Sequence, residues 1–345
     1  MYGNGETMDP PSELPIYGPA DELNPDSAFE EDSESFTSSL GPESYDFHFE
    51  NGRRYHALHA GEYWGPNDER QIEAERITHR LYLLTLDGQL CAAPLAAPPH
   101  RVLDIGTGAG SWAIDFAAKH PSAAVLGTDL SPIQDLFIPS NLRFEIVDFC
   151  DMWSYSENSF DFVFLRGLDG CVRDWPRLYA EVYRALKPGA YIEHSEMCIE
   201  LKSDDGAVAP EHIFGRWRKM LLEASDAYGK PLGIADQTKE LSEAAGFVEV
   251  VEQRFKWPIG GWNQERKLKE IGRLNKKHWE QSIEGWCIAL LTRALKWTVP
   301  QVRGFLREME EGLRDSNIHA YHEVTVLYGR KRESGSETRS EESEF

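Results

Sequence analysis

Three carboxylates, one arginine and one histidine stand where an open α/β sheet exposes the ends of its strands: Asp104, Asp129, Asp148, Arg166 and His194. Asp104 immediately precedes a turn with glycine at every second position, Gly106-Thr107-Gly108-Ala109-Gly110, and Asp129 follows Gly106 by 23 residues. An acid at that distance ends the second strand beside a ribose, where its oxygens accept from both hydroxyls. Glycine lets the backbone approach a ligand where any Cβ would collide. The helix after the turn would offer its unpaired N–H groups to a ligand carboxylate. The spacing departs from the dinucleotide fingerprint G-x-G-x-x-G, because the third glycine comes one position early and Ser111 holds its place. His194 is the candidate general base, since a neutral imidazole is available near neutral pH; it could equally be a hydrogen-bonded histidine at a strand end. Arg166 could position an acidic acceptor or pair with a nearby carboxylate.

These residues need a parallel sheet to bring them together, and the hydropathy pattern supplies one. Short apolar runs at 102–105, 123–128, 142–147, 159–165 and 190–196 read as buried strands, followed by 248–255 and by a last, antiparallel strand at 322–328. On the fifth strand Ile192, His194 and Glu196 share one face, with Glu193 and Ser195 on the other. Asn67 is a candidate cap for a helix over 70–86 that buries Ile72, Ile77, Leu81 and Leu84. Asp174 with Pro176 starts another helix, which Lys187-Pro188-Gly189 stops. Further helices fall at 210–228 and 237–245. A helical insertion at 262–316 contains a clear amphipathic face of Val302, Phe305, Leu306, Met309 and Leu313. Five tryptophans crowd this insertion and its entrance; they form its own core or line an acceptor pocket.

The 345 residues carry a net charge of −22, and residues 1–50 hold thirteen acids with no Lys or Arg. That tail reads as disordered and solvated, or as a docking segment, and its charge argues against contact with nucleic acid or an anionic membrane. The basic run 266–277 reads as a solvated helix face. Five well-separated cysteines without a C-x-x-C pair suggest buried thiols in a reducing compartment, with no disulfide framework or metal site. There is no membrane-length apolar run and no signal-like N-terminus, so the chain reads as soluble and intracellular. The domain expected is 51–332, between an acidic tail and a polar one at 333–345.

The run from Leu103 to Gly110 resembles motif I of class I S-adenosylmethionine-dependent methyltransferases. Closer wording lies in Arg53-Arg54-Tyr55-His56 with Tyr63, Pro66-Asn67-Asp68-Glu69, Gly110-Ser111-Trp112-Ala113-Ile114-Asp115, Asp129-Leu130-Ser131-Pro132-Ile133-Gln134 and Leu186-Lys187-Pro188-Gly189-Ala190-Tyr191-Ile192-Glu193. These stretches are similar to the fungal LaeA-like methyltransferases. The resemblance implies a Rossmann-like α/β fold with a seven-stranded, mostly parallel sheet and S-adenosylmethionine as cofactor. It implies a cradle of Asp104, Gly106, Thr107, Gly108, Gly110, Asp129 and Leu130. Asp148, or else Asp151, would accept from the adenine amino group while Phe149 covers the ring. Tyr55 and Tyr63 belong to a segment that folds over the cofactor or packs on the sheet, and Arg166 faces the methyl. The role implied is regulation of fungal development and secondary metabolism, in nucleus or cytoplasm, with velvet-type or other scaffold proteins. Two alternatives are a biosynthetic O- or N-methyltransferase of a small metabolite and a scaffold that keeps the fold without turnover.

Overall fold

The computed structural model describes residues 46–333; the expectations for the acidic tail up to residue 45 and the polar tail from 334 lie outside them. Residues 48–50 do not belong to a structureless tail. A hairpin joins β1 (His48–Glu50) to β2 (Arg53–Tyr55) through Asn51-Gly52, both at positive φ, as a two-residue turn with the sheet's own twist requires. Glu50 Oε2 accepts from Arg293 Nε at 2.9 Å and Nη2 at 2.7 Å, which ties the hairpin to a helix far along the chain.

Helix α1 (Glu69–Thr85) is capped by Asp68 and not by Asn67: the Asp68 carboxylate accepts from Gln71 N at 3.1 Å and from Arg53 Nε and Nη2. Asn67 instead donates to Ser131 Oγ at 3.1 Å, joining the N-terminal segment to the loop after the second parallel strand. Ile77 and Leu81 are buried as the pattern predicts, but Ile72 and Leu84 are only partly so. The reason is tertiary. α1 is covered on more than one side, and Ala74, His79 and Tyr82 are buried too.

The sheet contains β3 (Arg101–Ile105), β4 (Ala124–Asp129), β5 (Leu142–Ile146), β6 (Phe160–Arg166), β7 (Leu186–Lys202), β8 (Val248–Pro258) and β9 (Tyr321–Arg330), in the order β5-β4-β3-β6-β7-β9-β8. β5, β4, β3, β6 and β7 pair in parallel, and β9 lies antiparallel between β7 and β8. The chain reverses its direction of sheet growth between β3 and β6, and a crevice forms at such a point, at the C-terminal ends of the strands.

Both faces of the central strands are covered. Helix α2 (Ser111–Lys119) lays Trp112 flat on Phe164, with centroids 3.9 Å apart and planes 2° from parallel. Helix α3 (Trp175–Ala185) packs Leu178 and Val182 against the other face, over Leu103, Val163 and Leu165. Each such side chain contributes roughly 1.5–3 kcal/mol by leaving water. Helices α4 (Ile213–Tyr228), α6 (Arg266–Arg293) and α7 (Val299–Arg314) share a separate apolar cluster around Trp217, Trp279, Phe305 and Met309. The short α5 (Thr238–Ala244) precedes β8.

Candidate functional site

A cavity of about 260 Å³ lies at the strand ends, lined by Asp104 from β3, Asp129 from β4 and Arg166 from β6. The glycine loop forms one wall. Gly108 has φ +56°, a conformation that favours glycine, and a Cβ there would stand 2.5 Å from Glu75 Oε2 and displace that carboxylate. Gly106, Thr107, Leu130, Tyr63, Asp148 and Phe149 also line the cavity.

The N–H groups of the loop itself are taken up within the protein. Gly108 N donates to Asp129 Oδ2 at 2.8 Å and Ala109 N to Glu75 Oε2 at 2.9 Å; Thr107 N and Gly110 N donate to Thr128 O and Thr107 O. Side-chain carboxylates therefore already satisfy the anion-binding end of the loop. Asp129 keeps capacity nonetheless. Its Oδ1 accepts from Ser131 N at 3.0 Å, and a carboxylate offers about four lone pairs for these two bonds.

Glu75 is the residue that pattern reading missed. It lies on α1 in a stripe of cavity-lining residues with Gln71, Thr78 and Tyr82. Only the helical spacing of 71, 75, 78 and 82 along one face could have flagged it, and in a helix as rich in charged residues as α1 that signal is weak. Burial pushes the Glu75 carboxyl up to about 7, with Asp129 as the next cause. Burial likewise raises Asp129 and Asp104 to about 6, against the backbone donors of Asp129 and the Thr107 hydroxyl, which donates to Asp104 Oδ2 at 2.6 Å.

Arg166 sits opposite these acids with its guanidinium over the rings of Tyr82 and Phe164, 5.1 and 5.6 Å from their centroids. Burial lowers its pKa. Its hydrogen-bond partner is His79 Nδ1 at 3.2 Å, while His79 Nε2 meets Asp115 Oδ2 at 2.9 Å. Because arginine can only donate, His79 carries its proton on Nε2 and directs it to Asp115. Among the described residues no carboxylate pairs directly with this half-buried cation. A cation so placed is a ready partner for a ligand carboxylate.

Three expected site residues stand elsewhere. His194 is fully buried below the crevice, stacked on Trp175 and bonded to Tyr179 Oη and Glu196 Oε1, both at 2.8 Å. Both ring nitrogens are occupied within the core, so it cannot reach a ligand proton. Tyr55 is buried under the Arg293 guanidinium, 4.6 Å from its ring centroid, and packs the hairpin. Gly110 is the left-handed residue before α2, and its missing Cβ makes room for the Phe144 ring; its role is packing. Asp151 is exposed and off the cavity, whereas Asp148 lines it, holding Cys150 N at 2.8 Å and meeting His59 Nδ1 at 3.2 Å.

The comparisons agree with this geometry. A family model described as a methyltransferase domain matches residues 75–253. The chain is 34% identical over 301 residues to methyltransferase pytC of Aspergillus terreus, covering 87% of this chain and 93% of that protein. It is 36% identical over 290 residues to the secondary metabolism regulator LAE1 of Cochliobolus heterostrophus, covering 82% and 94%. To the secondary metabolism regulator laeA of Aspergillus fumigatus it is 32% identical, covering 86% of this chain and 79% of that one. With a seven-stranded Rossmann-like sheet, a glycine turn at its switch point and relatives of this identity and coverage, the chain belongs to the LaeA-like family of S-adenosylmethionine-dependent methyltransferases.

Proposed function

We propose that the chain transfers the methyl group of S-adenosylmethionine to a small-molecule acceptor of fungal secondary metabolism. The observation that carries this reading is the continuity of one cavity, from Asp129 at the end of β4 to the side chains of Trp217, Trp279 and Trp286 on α4 and α6. The residues present fit the cofactor, since one cavity is lined by the glycine turn, by the Asp104 and Asp129 carboxylates and by Arg166, whose guanidinium has no direct carboxylate partner among the described residues. Asp129 would accept from the ribose hydroxyls, with Leu130 beside it, and Asp148 and Phe149 would take the adenine. Arg166 would receive the cofactor's carboxylate, and Glu75 and Asp104 would face its ammonium. When bound, S-adenosylmethionine supplies a methyl already activated by a sulfonium. The chain's part is then to hold both partners in near-attack geometry and to keep water out, for which Tyr63 and Trp64 in the cavity wall are suited. A label-transfer assay with extract of the native fungus tests this: label in a small-molecule fraction supports it, and label confined to protein refutes it.

A second reading is favoured by the names of two relatives, both secondary metabolism regulators. In it the chain regulates development and secondary metabolism from the nucleus or cytoplasm, in complex with velvet-type or other scaffold partners. A pull-down from native cells with and without residues 1–50, combined with localisation of the tagged protein, checks that reading. Full rescue of a deletion strain by a variant unable to bind the cofactor would favour a scaffold without turnover.

A further inference from the structure

Six carboxylates line the cavity, Glu75, Asp104, Asp129, Asp148, Asp169 and Glu196, against two side-chain cations, Arg166 and Lys230. The cofactor reading above employs four of those acids and Arg166. Asp169 and Glu196 are left over. Asp169 follows Arg166, the last residue of β6, by three positions, and Glu196 lies on β7, the strand paired with β6.

Among the described residues no Lys or Arg pairs with either acid. Lys230 has Glu62 Oε2 at 3.5 Å, and the acidic neighbours of Arg166 are Asp104, Glu75 and Glu193. Leu168 N and His194 Nε2 both meet Glu196 at Oε1, at 2.7 and 2.8 Å. Gly233 N donates to both oxygens of Asp169 at 2.9 Å, and Ile234 N to Oδ1 at 3.3 Å. Backbone N–H groups and one imidazole thus fix the two carboxylates in place. Burial raises the pKa of Asp169, and the Glu196 carboxylate is the next cause, as expected for two like charges in a space poor in water.

The two acids differ in access. Glu196 is buried, whereas Asp169 is partly exposed, and its Oδ2, with one hydrogen bond, has lone pairs to spare. A guest therefore meets Asp169, with Glu196 adding its charge from the neighbouring strand. A neutral guest would displace water from both acids and leave their charge uncompensated, while a cationic one offsets it. Tyr63 and Trp286, partly exposed rings of the same cavity, favour the same sign, because a ring face attracts a cation. Lys230 opposes it, but is 4% exposed and shares its charge with Glu62.

We propose that Asp169 holds the acceptor through a protonated amine, so that the small molecule is an amine and its nitrogen receives the methyl group. The proposal rests on the reading of this cavity as the cofactor site. The nitrogen must shed one proton to expose the lone pair that forms the new N–C bond. The Asp169 carboxylate takes that proton, and the electrons of the breaking C–S bond stay on sulfur.

The test is calorimetric titration of the full chain, saturated with S-adenosylhomocysteine so that the cofactor's own ammonium and carboxylate fill their places. The three probes are 2-phenylethylammonium, 2-phenylethanol and phenylacetate. The ammonium should bind at least about 10-fold more tightly than the alcohol, the gain of one charge-assisted hydrogen bond, and phenylacetate should bind most weakly. In Asp169→Asn the ammonium should fall to within about 2-fold of the alcohol while the alcohol binds as before. Lys230→Met, which removes the opposing charge, should tighten the ammonium roughly 3-fold. Equal binding of ammonium and alcohol to the unaltered chain overturns the proposal, as does a preference that survives in folded Asp169→Asn. Tightest binding by phenylacetate overturns it in favour of Lys230 as the anchor. If Asp169→Asn weakens S-adenosylmethionine but not S-adenosylhomocysteine, the carboxylate serves the sulfonium and the proposal falls. Should Asp169→Asn not fold, Lys230→Met decides, and unchanged ammonium binding there overturns it. S-adenosylhomocysteine affinity, measured first, separates the two levels. If the unaltered chain binds it but no probe, only the amine inference fails; if it does not bind, the cofactor reading fails with it.

Discussion

Asn in place of Asp129 keeps the side chain's shape and removes its charge. In the native loop both oxygens are in use, Oδ2 from Gly108 N at 2.8 Å and Oδ1 from Ser131 N at 3.0 Å. An amide has one oxygen, so one of those two N–H groups must face an NH₂. A buried donor left that way costs about 1–3 kcal/mol. For a chain of this size the ligand-free melting temperature should fall by roughly 2–4 °C per kcal/mol. The effect on ligand is larger in kind, because an ionised acceptor is lost. Burial raises Asp129 to about 6, so at pH about 7.5 it is charged. Charge-assisted hydrogen bonds contribute about 1.5–3 kcal/mol, which predicts a rise of about 10- to 150-fold in the dissociation constant of S-adenosylhomocysteine. Calorimetry and thermal unfolding on the same preparation read both quantities. A variant that melts as predicted yet binds S-adenosylhomocysteine like the native chain would refute the ribose role and leave Asp129 a brace for its loop.

Arg166→Met should weaken S-adenosylhomocysteine at least ~10-fold while leaving adenosine unchanged, since only the former carries a carboxylate for the guanidinium; equal losses for both would point to a collapsed site. Glu75→Gln isolates one titration. The folded pKa of Glu75 lies near 7, above its unfolded range, so the native state holds that proton more firmly. Its contribution to stability is fully present below the unfolded carboxylate range and is lost as pH rises through about 7. The variant, which mimics the protonated form, should therefore gain melting temperature relative to the native chain between pH about 5.5 and 8, and a difference independent of pH would remove Glu75 from the buried set. His194→Phe leaves Glu196 Oε1 only its bond from Leu168 N and the Tyr179 hydroxyl only a 3.4 Å bond to Thr238 O, for a stability loss of about 1 kcal/mol per lost bond. S-adenosylhomocysteine affinity should stay within about 2-fold. A folded His194→Phe protein with an altered pH–rate profile would restore this histidine as a base.

How legible the site was depended on whether a residue's position is fixed by its own strand or by another element. Asp104 and Asp129 lie at the ends of strands whose apolar runs are unmistakable, Gly108 lies in the turn after the first, and all three line the cavity. His194 lies on an equally clear strand, but α3 covers that face with Trp175 and Tyr179, which no local pattern announces. Asn67 and Asp68 are adjacent and both are good caps; the Arg53 guanidinium, brought over by the hairpin, decides for Asp68.

The sequence by itself determined the sheet, its direction and the glycine turn, because alternation, apolar runs and backbone freedom are local properties of the chain. It also carried the family, in motif wording that needs no coordinates. Only the tertiary structure decided that the loop N–H groups meet Asp129 and Glu75, that Arg166 is without a direct carboxylate partner, and that tryptophans from α4 and α6 share one wall with the crevice. Those contacts join residues far apart in sequence. They exist because burying apolar helices against the sheet brings polar side chains with them, and a buried polar group must find whatever partner the packing provides.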